Sequence, residues 1–156
     1  MNPAVKNLLI HTIQMKSMAV STYDDFDPDD IPEDIFENGQ SYRSIRKIQT
    51  FKIGDTDNYQ HRFTYSIGLR FVSTYDRKSE IPLDEIKPYV EFKATFIADY
   101  QCKLELDEEN LDSFANSHLC YHIWPYWREF VQSTCGRLSL PCLVVPPFRV
   151  KVDVEE

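Results

Sequence analysis

An α+β fold, a four-stranded antiparallel sheet with a kinked long helix packed on one face, is predicted by three observations on the 156-residue sequence. RFTYSIGLRFV at 62–72 and YVEFKATFIADYQCKL at 89–104 alternate apolar and polar residues, as half-buried strands do. Two further stretches, 5–22 and 41–53, alternate less regularly. Helical spacing is confined to 107–137, so one helical unit must cover one apolar sheet face. The length fits one domain, assigned to 1–148, with a polar C-terminal tail at 149–156.

The first strand carries Leu8 and Ile10 on one face and Leu9, His11 and Ile13 on the other. YDDFDPDDIPEDIFENG, residues 23–39, follows as an acidic connection with two prolines and a final Asn-Gly pair. It reads as a mobile, solvated loop, and it lacks the acid spacing, central glycine and terminal glutamate of a calcium-binding EF-hand. In SYRSIRKIQTFKI, residues 41–53, the alternation slips once between Ile45 and Ile48, which marks a bulge. GDTDNYQ turns the chain into the third strand, where Phe63, Tyr65, Ile67, Leu69 and Phe71 share a face. After a loop with Pro82 and Pro88, the fourth strand aligns Phe92, Ala94, Phe96, Ala98 and Tyr100.

Asp107 can cap a helix whose first turn holds Glu108 and Glu109, the sign that the helix dipole favours there. Leu111, Phe114, Ala115, His118 and Leu119 then recur at helical spacing. Pro125 lacks an N–H and clashes one turn back, so it is expected to open a second helix, 125–136, that ends at Gly136. Around that second helix Trp127, Phe130, Val131 and Thr134 line a broad face, with Tyr126 and Trp124 beside it. A helix apolar over most of its circumference needs cover on two sides, and the chain offers one sheet. The second cover is therefore expected to be another copy of the protein, with Tyr126, Trp127, Phe130 and Val131 at the oligomer interface.

The net charge of −8 repels nucleic acid and anionic membranes. No apolar run approaches the roughly 18–20 residues of a membrane span, and the N-terminus is a poor signal peptide, so a cytoplasmic location without membrane insertion is expected. Cys102, Cys120, Cys135 and Cys142 show no CxxC pairing and read as reduced core thiols. Only four glycines are present, which leaves no dinucleotide or phosphate loop, and no GxSxG elbow occurs. His118 and His122 have the i, i+4 spacing of a zinc pair, but the HExxH glutamate and a third ligand are missing. Hydrogen-bonded, partly buried histidines are the simpler expectation. An enzyme, a metal or another cofactor is therefore not expected.

Pro125-Tyr126-x-Arg128-Glu129, then Arg137, then Pro141-x-Leu143 and Pro147, preceded by the VEFKATF strand, resembles the SecB family of protein-export chaperones. The resemblance is specific over 89–148 and topological over 5–75. GRLSLP at 136–141 is more similar to the branch associated with toxin–antitoxin systems. The resemblance implies protomers that dimerise, and two dimers that sandwich their helices into a tetramer. It also implies apolar grooves that hold unfolded polypeptide clients without ATP: preproteins in the export branch, an antitoxin in the other. Export members continue into a second helix and a tail that contacts the SecA motor, whereas PPFRVKVDVEE is short, extended and charged. The irregular apolar positions Ile45, Ile48, Phe51 and Ile53, together with Trp124, are the candidate client-binding residues, against the competing reading of ordinary core. A non-enzymatic oligomeric scaffold for one folded partner is the alternative function.

Overall fold

The computed structural model describes residues 2–23, 26–73, 77–78, 80–82, 84–141, 143 and 145–148. A short helix α1 (Pro3–Asn7) precedes strand β1 (Leu9–Thr22), where the sequence led us to expect strand from residue 5. Pro3 sits in the first turn of α1, where its missing N–H costs nothing, and Asn2 caps it by accepting from Ala4 N. Strands β2 (Gly39–Lys52), β3 (Tyr59–Phe71) and β4 (Val90–Cys102) complete an antiparallel sheet of order β1-β4-β3-β2.

The register of β3 against β4 pairs Phe63 with Ala98, Tyr65 with Phe96, Ile67 with Ala94 and Phe71 with Val90. All lie on a single apolar surface, where alanines opposite Phe63 and Ile67 leave room for a helix to pack. The other face is polar. Arg62 holds Asp99 through both carboxylate oxygens at 2.8 and 3.0 Å, and Ser66 meets Thr95 at 3.1 Å.

Strand β1 departs from simple alternation. Register shifts at His11 and Lys16 bring Ile10, Ile13, Met15, Met18 and Val20 opposite Tyr100, Ala98, Phe96, Ala94 and Phe92, all on the apolar face. Ile10 and Ile13 therefore share a face, contrary to plain alternation. Strand β2 shifts once, between Ile45 and Lys47, where the sequence slip located a bulge.

The connection from β1 to β2 must cross three inter-strand spacings of about 4.8 Å each, from one sheet edge to the other. It does so packed down, which corrects the expectation of a mobile solvated loop. Ile35 is buried in a short 3-10 turn, Ile35–Glu37, and Phe36 meets Phe71 edge-on at 5.0 Å. The acids Asp29, Asp30, Glu33 and Asp34 remain exposed, so apolar residues anchor the segment while its charges stay hydrated.

The helical cover runs as α2 (Glu108–Phe114), a π turn (Ala115–Leu119) and α3 (Cys120–Arg137). Asp107 caps α2, its carboxylate accepting from Asn110 N at 2.8 Å. Pro125 lies inside α3 and does not break it. Pro125 and Tyr121, whose carbonyl loses its partner, are both exposed, so water can satisfy that oxygen. The irregularity is instead the π turn, one extra residue per turn. Leu140 N donates to Cys135 O and Ser139 N to Gly136 O, closing the helix with Ser139 at φ 56°. The stop thus falls after Arg137, with Ser139 rather than Gly136 in the left-handed position.

Candidate client-binding groove

Phase along β2 decides which of its apolar residues can act together. Ile45 pairs with Tyr65 and Ile48 with Phe63, both on the helix-covered face, because the bulge at Arg46 restores the phase between them. Across from them stand Leu106 and Leu111, from the entry to α2 and its first turns. Between these walls runs an open groove of about 580 Å³, rimmed by Arg46 and Lys47 on one side and Glu108 and Asp112 on the other. Ile45 and Ile48 are half-buried, so each keeps apolar surface to offer. Strand β2 is a sheet edge, and among the described residues its outward backbone N–H and C=O groups have no strand partner.

The remaining candidate positions lie elsewhere. Phe51 pairs with Gln60 and sits under the Arg62 guanidinium, 5.4 Å away, on the polar face. It is three residues from Ile48 with no second bulge between them, so it must point the other way. Ile53 lies in the turn after β2, its N–H donating to Asn58 O. Trp124 is engaged by its own chain: its indole Nε1 donates to Pro146 O at 2.6 Å, and its ring is 5.6 Å from that of Phe148. Leu106 and Leu111 escaped the sequence reading, since Leu106 falls outside any periodic run and Leu111 fits a core position.

The expected oligomer-interface residues also divide. Trp127, Phe130 and Val131 are buried within the protomer, at 1 %, 6 % and 0 % exposure. Phe130 meets Phe92 edge-on at 6.4 Å and Trp127 at 5.8 Å. These three side chains therefore pack inside their own protomer. The described residues after α3, 138–141, 143 and 145–148, pack back against the molecule, with Leu140 and Val145 buried and Arg128 Nε donating to Val145 O at 2.7 Å. Tyr126 is the exception at 49 % exposure. It joins Tyr121, Ile10 and Ile13 around a second shallow apolar recess of about 450 Å³.

Electrostatics in the helix–sheet interior follow burial. His122 Nδ1 lies 2.8 Å from the Tyr100 hydroxyl. Burial, and then the neighbouring His118, lower the His122 pKa, while burial raises that of Tyr100. His118 stacks on Phe114 at 5.7 Å and contacts Ser117 Oγ. Cys102, Cys120 and Cys135 are buried, and Cys142 lies outside the described residues. No group of three potential metal ligands comes together among the described residues. Among them, no helix is long and apolar enough to cross a membrane.

An antiparallel sheet whose edges are joined by a crossover, backed by one long helix, is a fold found again among solved structures. One solved structure of that kind is the Mycobacterium tuberculosis SecB-like chaperone Rv1957, in complex with a ChAD peptide from the Rv1956 HigA1 antitoxin. The two share the fold with a TM-score of 0.60 over 95 % of each chain, at 16 % sequence identity. No protein-family model matches the sequence, and no curated protein matches it.

Proposed function

We propose that this protein is an ATP-independent holdase that binds unfolded or unassembled polypeptides, an antitoxin among them. The observation that carries the reading is the open groove between the β2 edge and α2, with Ile45, Ile48, Leu106 and Leu111 within a charged rim, on the fold of a chaperone captured with an antitoxin peptide. Such a groove needs no catalytic group and no nucleotide, because apolar burial supplies the binding energy. Each large side chain that a client buries contributes about 1.5–3 kcal/mol before ordering costs. Three or four anchors suffice for roughly micromolar affinity, about −8 kcal/mol.

The working form is a cytoplasmic homo-oligomer, a tetramer as the SecB resemblance implies. Its contacts are the β1 edge and the outward face of α3 at Tyr121 and Tyr126. Protection of an antitoxin is favoured over export by the neighbour's bound peptide, and delivery to the SecA motor belongs to the export alternative.

Suppression of light scattering by a urea-unfolded client, without nucleotide, tests the reading. The parent protein is expected to suppress aggregation at about equimolar ratio, and Ile45→Ser with Ile48→Ser to weaken capture at least about tenfold. Indifference to several unfolded clients alongside tight binding of one native partner overturns it in favour of a folded-partner scaffold.

A further inference from the structure

Strand β2 runs on beyond the groove, whose lining ends at Ile45. Arg43 comes next on the same strand face, opposite Ile67. There the chain's own C-terminal strap fills the space. The Phe148 ring lies 5.1 Å from the Arg43 guanidinium and 5.6 Å from the Trp124 ring. Just ahead of it, the Val145 and Pro146 carbonyls accept from Arg128 Nε at 2.7 Å and Trp124 Nε1 at 2.6 Å. These contacts use two backbone carbonyls and one aromatic ring. Any extended peptide with an aromatic residue can supply the same groups.

We propose that residues 145–148 are a tethered competitor, which covers the Arg43–Trp124–Arg128 site just beyond the Ile45 end of the groove, beside the recess that Trp124, Arg128 and Phe148 line, until a client displaces Phe148. The inference rests on the holdase reading above and adds its regulation. Pro146 and Pro147 restrict the strap, so little conformational freedom is lost when it docks. The short link back to Arg137, where the helix ends, keeps its local concentration high. A client needing this site therefore binds with an affinity reduced by the fraction of molecules in which the strap is out. Arg43 also reaches Cys120 Sγ at 3.7 Å, so the guanidinium stays anchored to the helix when Phe148 leaves.

The test compares the parent with Phe148→Ser by fluorescence anisotropy. The probes are two labelled extended peptides that differ only by phenylalanine or alanine at one position, and circular dichroism melts establish that each protein is folded. Phe148→Ser is expected to bind the phenylalanine peptide roughly tenfold more tightly than the parent, with the alanine peptide unchanged. Adding Trp124→Ala should abolish the gain. Phe148→Leu, which keeps bulk and loses the stacking on Arg43, should fall between, and it carries the comparison should the serine variant not fold. Unchanged or weaker binding by the strap variants, where the parent binds, makes Phe148 a groove wall and overturns the competitor while leaving the holdase standing. If neither parent nor variants bind the peptides or a urea-unfolded protein, both readings fall.

Discussion

His61, on β3 opposite Thr50 of β2, is fully buried, with Nδ1 2.9 Å from Thr50 Oγ1 and Nε2 without a hydrogen-bond partner among the described residues. Burial is the largest influence on its pKa and lowers it below the ordinary 6.5; the nearby Leu104 backbone and Glu105 act the other way. His122 is lowered as well. Below that ordinary value the unfolded chain takes up protons that the folded chain resists. The stability owed to the neutral rings is thus complete above about pH 6.5 and is lost as pH falls below it. Thermal melts should show Tm declining on acidification from that point, with a shallower decline in His61→Gln. Identical slopes in parent and variant would show that His61 takes no part. At this scale the sequence was legible where phase alone decides. The slip between Ile45 and Ile48 marks the bulge that puts both on one face, whereas the three-residue step from Ile48 to Phe51 puts Phe51 on the other. Trp127, Phe130 and Val131 stand at positions whose spacing asks for burial, and they are buried within their own protomer.

Among the elements, β3 and β4 could be read almost residue by residue, since buried central strands carry an uninterrupted period of two. Strand β1 resisted because its two shifts fall at polar residues, His11 and Lys16, where a skipped position leaves no trace in hydropathy. The helix was misjudged at Pro125 because the cost of proline depends on whether the freed carbonyl meets water, which sequence does not tell. Its true end offers a test. Ser139 holds φ 56°, a conformation that costs a side-chain-bearing residue on the order of 1 kcal/mol. Ser139→Gly should therefore raise stability in urea unfolding by about 0.5–1 kcal/mol, with no change in client binding. A loss of stability would mean that the serine side chain contributes more than its backbone strain costs. The strap 138–148 lacked any periodic signal, and its prolines resemble those of a linker until Arg128 and Trp124 are seen bonding to its carbonyls.

The whole molecule keeps two open sheet edges, and β1 is the more conspicuous. It spans 14 residues, and Leu9, Ile10 and Met18 on it are 71 %, 50 % and 59 % exposed. Long, apolar, unpaired edges invite another strand, and monomeric proteins usually shield them. Pairing of β1 with its counterpart on a second copy would bury these residues and extend the sheet. Met18→Lys is expected to shift the assembly towards smaller species in sedimentation or light scattering, by placing a charge inside that contact. A parent protein that runs as a monomer at micromolar concentration refutes the edge contact outright.

The order β1-β4-β3-β2 also governs how the molecule comes into being. Leu9 finds its partner only in Gln101, across most of the chain. At roughly 5–20 residues per second of synthesis, β1 leaves the ribosome on the order of 5–20 s before β4 does. Hairpins β2–β3 and β3–β4 can close on local contacts, while the N-terminal strand waits, then docks last and at the greatest loop-closure cost. A protein read here as a keeper of unfolded chains thus begins life as one, its most adhesive strand exposed to the same crowd from which its clients come.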